Sequence, residues 1–171
     1  IKKANLFLKQ TKFPIVIKAD GLASGKGVYI CENKITSEIA IKEIFGGKFG
    51  YAKNILIEEF LDGEEMSFFI VSDGKDIKNF QTAQDHKRVL EGDKGGNTGG
   101  MGAYSPSRLI NNDLEKKILD RIINPTIEGL KKWGCKYKGF LYAGLMIVNN
   151  DPYLIEYNVR MGDPECQTIL P

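Results

Sequence analysis

The segment Tyr153-Leu154-Ile155-Glu156-Tyr157-Asn158-Val159-Arg160 alternates apolar and polar residues. On a strand this alternation places Glu156, Asn158 and Arg160 on one face, with Leu154 beside them, and turns Ile155, Tyr157 and Val159 to the core. A carboxylate and an amide oxygen side by side are hard ligands suited to Mg²⁺, which keeps waters and completes its shell from phosphates. Arg160 on the same face would hold a phosphate or carboxylate through its planar fork. Asp163-Pro164-Glu165 repeats the acidic chemistry just downstream. The plainer reading is a Glu–Arg pair on a wet strand face.

A second candidate is Asp20-Gly21-Leu22-Ala23-Ser24-Gly25-Lys26-Gly27. Free N–H groups at Gly25 and Gly27, with the Lys26 ammonium, would make an anion-receiving lip. Lys18 would add a second cation from the preceding strand. The spacing does not fit G-x-x-x-x-G-K-[ST]: Gly27 stands where Ser or Thr is needed, and a strand follows instead of a helix. A protein kinase fits no better, since Lys18 precedes the loop and no DFG follows. The alternative is an ordinary hairpin turn with a solvated lysine.

Three further groups stand out. Glu58-Glu59-Phe60-Leu61 ends a strand, and its backbone could pair with the edge of an adenine ring while Glu65 accepts from ribose hydroxyls. An acidic, solvated strand end is the commoner meaning of such a run. His86, the one histidine, lies in Asp85-His86-Lys87-Arg88, without the G-x-S-x-G elbow of a serine nucleophile. Lys87 leads toward a glycine-rich stretch, which suggests anion capture. Cys31, Cys135 and Cys166 form no CxxC pair; Cys31 and Cys166 fit as small core or site-wall residues.

These residues need elements to position them. Ile1 to Gln10 has helical spacing, Phe13 to Lys18 and Gly27 to Cys31 are short strands, and Thr36 to Phe45 is a helix stopped by Gly46-Gly47. Asn54 to Phe60 is a third strand. Glu65 to Ser72 and Asp76 to Ala83 form a hairpin around Asp73-Gly74. Glu91 to Tyr104, with six glycines, is expected to be a long mobile loop. Asn112 should cap a long helix, with Glu115 as capping-box partner and Pro125 as a kink. Its buried stripe would be Leu114, Ile118, Ile122, Ile127, Leu130 and Trp133. Gly139 to Val148 and Tyr153 to Val159 form a second hairpin. The pattern is α+β with antiparallel strands.

Composition narrows the function classes. With 24 Lys+Arg against 22 Asp+Glu the net charge is +2, which gives no footprint for nucleic acid or an anionic membrane. A hydrophobic content of 42% argues for a folded chain. No apolar run approaches the ~18 residues that span a bilayer. A reducing, cytoplasmic setting is expected from the scattered cysteines. The start at Ile1 and the stop at Pro171 suggest a segment of a longer protein.

The order of motifs is itself informative. Lys18 to Val28, Glu58 to Glu65, Gln84-Asp85-His86-Lys87-Arg88, Asn97-Thr98-Gly99-Gly100-Met101-Gly102-Ala103-Tyr104-Ser105-Pro106 and Asn158-Val159-Arg160-Met161-Gly162-Asp163-Pro164-Glu165 together resemble the phosphoribosylamine–glycine ligase family of the ATP-grasp superfamily. The resemblance covers almost the whole chain. It implies an ATP-grasp fold, a small flap lobe over residues 1–58 and a core lobe over 59–171, with N- and C-terminal domains of the parent chain missing. It implies joining of glycine to 5-phosphoribosylamine through an acyl phosphate, with ATP as co-substrate and Mg²⁺ or Mn²⁺ as the metal. By the same resemblance Lys18, Ser24, Gly25, Lys26 and Gly27 hold ATP phosphates. Glu58, Glu59, Phe60 and Leu61 line the adenine, Glu65 holds the ribose, and Met146 packs on the base. Glu156 and Asn158 hold the metal, and Lys18 and Arg160 serve catalysis. Asp85, Lys87, Asn97, Thr98, Gly99, Gly100, Arg160 and Asp163 contact the other substrates. Gly144 stands where many ATP-grasp enzymes place a further metal-binding acid. Another ATP-grasp carboxylate–amine ligase or carboxylase is the nearest alternative, and the isolated segment is expected to bind nucleotide without turnover.

Overall fold

The computed structural model describes residues 1–21, 27–91, 94–98 and 100–171, and they divide into two compact units, Ile1–Leu61 and Asp62–Pro171. In the first unit three antiparallel strands, β1 (Ile15–Ala19), β2 (Val28–Cys31) and β3 (Ile55–Glu59), form a sheet in the order β2-β1-β3. Helices α1 (Lys2–Phe7) and α2 (Lys34–Phe45) complete the unit. The period-2 pattern of β1 buries Ile15 and Ile17 with Cys31, Ala40, Ile41, Ile44 and Leu8. α2 begins two residues before Thr36. Asn33 is its cap, accepting from the Thr36 N–H at 3.1 Å while the Thr36 hydroxyl accepts from the Asn33 N–H at 3.3 Å. Ile1, expected on the buried side of the first helix, is exposed, and Leu8 and Ala4 supply its contact instead.

The second unit is built on five antiparallel strands. These are β4 (Glu64–Asp73), β5 (Ile77–Asp85), β8 (Ala103–Tyr104), β9 (Lys138–Val148) and β10 (Asp151–Asn158), in the order β10-β9-β4-β5-β8. β6 (Arg88–Leu90) and β7 (Lys94–Asn97) pair as a separate hairpin. The stretch 91–104 is therefore not simply a loop: glycine brings no side chain to a core, but its backbone groups still pair into strands.

One face of the large sheet packs on helix. Met66, Phe68, Ile70, Leu141, Ala143, Leu145 and Ile147 meet Leu114, Ile118, Ile122 and Ile123. The expected single helix is three pieces: α3 (Asn112–Ile118), a π-helical turn over Leu119–Ile123, and α4 (Asn124–Lys132). Pro125 follows just after the π-helical turn, the irregularity that lets continuous helical backbone accommodate a residue without an N–H. Asn111, not Asn112, caps α3 by accepting from the Leu114 N–H at 2.9 Å. Glu115 accepts from Asn79 instead of closing a capping box. Trp133 is 86% exposed and does not extend the buried stripe, because the helix ends at Lys132.

The opposite face of the sheet carries Phe69, Ala83 and Tyr142, packed with Phe80 of β5, with Ile169 of α5 (Glu165–Ile169) and with Met161 of the turn before that helix.

Candidate functional site

Backbone register assembles a polar patch on that second face. Glu65 pairs with Met146, and Met146 with Tyr153; Ser67 pairs with Gly144, and Gly144 with Glu156; Phe69 pairs with Tyr142, and Tyr142 with Asn158. Three short rows thus run across β4, β9 and β10. The β10 register shifts between Leu154 and Glu156. Ile155 is the extra residue of this bulge, and bulges re-aim side chains. Leu154 pairs with buried Leu145 and belongs to the helix face, while Tyr153 takes the place on the polar face that strict alternation assigned to Leu154. Val159, expected in the core, is 75% exposed because the strand ends at Asn158.

The acid and the amide meet on this face. The Asn158 amide nitrogen donates to Glu156 Oε1 at 3.1 Å. Gly144 makes the room: an ideal Cβ there would lie 3.3 Å from Glu156 Cγ. Arg160 lies beyond the strand, and its Nη1 donates to the Met161 carbonyl at 2.9 Å. Strand alternation therefore does not set its direction; a turn does.

A second group of charges gathers where β5 ends. Lys87 Nζ pairs with Glu65 Oε2 at 2.8 Å. Burial pulls the Lys87 ammonium down, but Glu65, Tyr142 and Asp85 outweigh it and the net direction is up. Asp85 is pushed up to about 6, first by burial, then by Glu165 and Glu65, with Lys87 and His86 pulling the other way. Its Oδ1 is buried and has no hydrogen-bond partner among the described residues. Gly100, at φ +103, would place an ideal Cβ 3.4 Å from that oxygen and 2.7 Å from Pro164 Cδ. Only a residue without a side chain fits the backbone there. Thr98 Oγ1 donates to the Lys87 carbonyl at 2.8 Å and accepts from the Gly100 N–H at 3.2 Å, so Thr98 shapes the turn. Asp163 Oδ1 accepts from Gln167 Nε2 at 2.9 Å.

Beneath these groups lies a buried chain of oxygens. Ser67 Oγ donates to Glu165 Oε1 at 2.8 Å and lies 3.0 Å from the Tyr142 hydroxyl. Burial pushes the Tyr142 phenol up to about 12, with Glu165 adding to it and Lys87 opposing. The sequence held a weak signal for this chain: Ser67 is the polar break in the apolar run from Met66 to Val71.

In the first unit Lys18 pairs with Glu58 at 2.6 Å. Val28 and Leu56 are the register partners of Lys18, and Ile30 and Glu58 those of Val16. Val28, Ile30 and Leu56 are exposed. The sheet face away from α2 is thus apolar, with one cation and one acid, a surface suited to a flat aromatic ring joined to phosphates. Gly27 accepts at its carbonyl from the Ala19 N–H at 2.9 Å, which holds the ends of the first loop together. Ser24, Gly25, Lys26 and Gly99 lie outside the described residues. Asn97 ends β7 as the register partner of Arg88. Glu59 closes β3, and Phe60 and Leu61 follow it up to the division between the units. His86 joins backbone to Gly102 and Met101 and stacks at a tilt 5.8 Å from Tyr104. Cys31 is buried, which pushes its thiol up.

Solved structures with this arrangement of sheets define the class. A biotin carboxylase from Campylobacter jejuni superposes with a TM-score of 0.70 over 98% of this chain and 36% of its own, at 18% identity, so the two share a fold. The phosphoribosylamine–glycine ligase of Thermotoga maritima superposes at 0.87 over 99% of this chain and 43% of its own, at 41% identity. The chain belongs to the family described as phosphoribosylglycinamide synthetase, ATP-grasp (A) domain, whose model matches residues 1–166. It is 49% identical to the phosphoribosylamine–glycine ligases of Pasteurella multocida and Caulobacter vibrioides over 99% and 98% of its length. It spans about 40% of the length of those curated relatives. No described helix is long and apolar enough to cross a membrane.

Proposed function

We propose that this chain is the ATP-grasp core of a ligase that joins glycine to 5-phosphoribosylamine, giving glycinamide ribonucleotide, ADP and phosphate in a cytoplasmic purine pathway. The observation that carries the reading is the pairing of Glu156 and Asn158 over Gly144, in one patch with Glu65, Lys87 and Asp85. In the reaction the glycine carboxylate attacks the γ-phosphate of ATP, ADP leaves, and the amine of phosphoribosylamine then displaces phosphate from the acyl phosphate. Such chemistry needs positioning and charge neutralisation more than a protein nucleophile.

The residues share the work as follows. Glu156 and Asn158 supply two oxygens to a divalent cation, Mg²⁺ or Mn²⁺, once the Asn158 amide turns its Oδ1 outward. Among the described residues no three or more His, Cys, Asp or Glu stand together, so a cation held here would take the rest of its shell from water and phosphate. When bound, that ion neutralises phosphate charge during transfer. Lys18 and the loop Ser24 to Gly27 hold nucleotide phosphates. Glu58 to Leu61 line the base and Met146 packs on it, while Glu65 takes the ribose in exchange for its pairing with Lys87. Arg160 faces the transferring phosphoryl group. Asp85, Lys87, Asn97, Thr98, Gly99, Gly100 and Asp163 form the substrate side. Residues 1–58 act as the flap lobe and 59–171 as the core lobe, with the domains beyond this segment completing the substrate sites.

The direct test combines the full-length chain with ATP, Mg²⁺, glycine and phosphoribosylamine and measures ADP release. Glu156→Ala is expected to abolish Mg²⁺-dependent nucleotide binding in calorimetry while leaving the melting temperature in place. Retained metal-dependent affinity would overturn the metal assignment, and ADP release equally fast with another amino acid would overturn the substrate assignment.

A further inference from the structure

Glu165 has no part in the reaction just described, yet it is one of the most buried charged residues, at 2% exposure. It opens α5, directly after the turn that carries Arg160 and Asp163. Its carboxylate reaches back over that turn: an ideal Cβ on Gly162 would lie 2.3 Å from Glu165 Oε2 and 2.6 Å from Cδ. On its other side Oε1 accepts from Ser67. A carboxylate only accepts, and a serine hydroxyl has one proton. Ser67 therefore donates to Glu165, and the Tyr142 hydroxyl supplies the proton of its own contact with Ser67. With Glu165 ionised, the single Ser67 proton gives the order Tyr142 to Ser67 to Glu165. Its two ends reach the proposed site at different places, since Tyr142 is the register partner of Asn158 and the Glu165 carboxylate packs against Gly162 in the turn of Arg160.

Stability alone is poorly served by such a group, because a buried carboxylate loses more hydration than one hydroxyl bond returns. The geometry points to a different use: Glu165 is a positioning residue that, through Ser67 and Tyr142, holds the turn carrying Arg160 and Asp163 in register with the Glu156 and Asn158 strand. It acts on phosphoryl transfer without touching substrate, an inference that rests on the proposed ligase reading for its effect on rate but not for its effect on the turn.

The test uses the full-length chain and three variants, Glu165→Ala, Ser67→Ala and the double variant, with Glu165→Gln as the conservative control. Amide hydrogen exchange reads the turn directly. The amides of residues 160–163 and of Cys166, whose N–H donates to the Gly162 carbonyl at 3.0 Å, are expected to exchange about tenfold faster in both single variants, as a local opening would allow, while β4 and β9 keep their protection. In steady-state assays kcat is expected to fall about 10- to 100-fold with the KM for ATP unchanged, as misplacement of a transferring group predicts. Because the residues act as one chain, the double variant should be no worse than Glu165→Ala. Glu165→Gln keeps an acceptor for Ser67 and should restore most of the rate. Unchanged exchange at residues 160–163 and Cys166, multiplicative losses in the double variant, or a rate loss that merely follows the melting temperature would each overturn the inference. Absence of ligase turnover in the wild-type chain would overturn the functional reading instead, and the exchange comparison would still decide the role of Glu165.

Discussion

Replacing Asp85 with Asn should make this protein more stable at neutral pH. The Asp85 carboxylate is pushed from 3.8 to about 6 by burial and by Glu165 and Glu65, against which Lys87 and His86 only partly act. Between pH 4 and 6 the folded chain keeps a proton that the unfolded chain has released, so stability falls as pH rises through that window. Above it the ionised group is a standing cost. A shift of about two units corresponds to about 3 kcal/mol at most, and screening of this part-exposed group reduces it to about 1–2 kcal/mol. For a chain of this size that is about 2–8 °C in melting temperature. The assay is a thermal melt of wild type and Asp85→Asn at pH 7.5 and again at pH 4.5. A gain at pH 7.5 that disappears at pH 4.5 is expected, together with loss of substrate binding, the usual exchange of stability for function at a site. A lower melting temperature at pH 7.5, or the same gain at both pH values, refutes the reasoning.

Three other substitutions probe the frame. Leu114→Ala, fully buried between α3 and the large sheet, should lose about 2–5 kcal/mol in denaturant unfolding. Gly63→Ala would place a Cβ 2.4 Å from the Ile147 carbonyl oxygen, a backbone atom that cannot swing aside, and should cost about 1–3 kcal/mol by the same measurement. Asn33→Ala removes the cap of α2 and should cost about 1 kcal/mol, seen as a lower unfolding midpoint with an unchanged slope.

The sequence carried the strands and the helices well because their signals are local. The Asp73-Gly74 turn, the alternation of Ile15 and Ile17, and the apolar spacing from Leu114 to Ile123 each need only their neighbours. Misreadings arose where pairing or packing intervened. The bulge at Ile155 depends on β9, not on β10 alone, so Leu154, expected beside Glu156, lies on the other face. The hairpin of β6 and β7 lies in a glycine-rich stretch whose side chains say little about backbone pairing. Trp133 satisfies the helical period but falls after the last turn. At the candidate site, Glu156 and Asn158 were legible from their spacing. The Tyr142–Ser67–Glu165 chain was not, since its members stand far apart in sequence and meet only through the register of β4 and β9.

The bulge has a second consequence, for solubility. β10 is an edge strand of the five-stranded sheet, and a flat edge exposes a row of unpaired amides that can template aggregation with other copies. An inserted residue bends and twists such an edge out of register with any straight partner. Deleting Ile155 would leave Glu156 and Leu154 on their present faces, yet straighten the outer strand. The cost of that deletion should therefore be read in light scattering of concentrated samples, where the straightened edge would favour assembly between molecules.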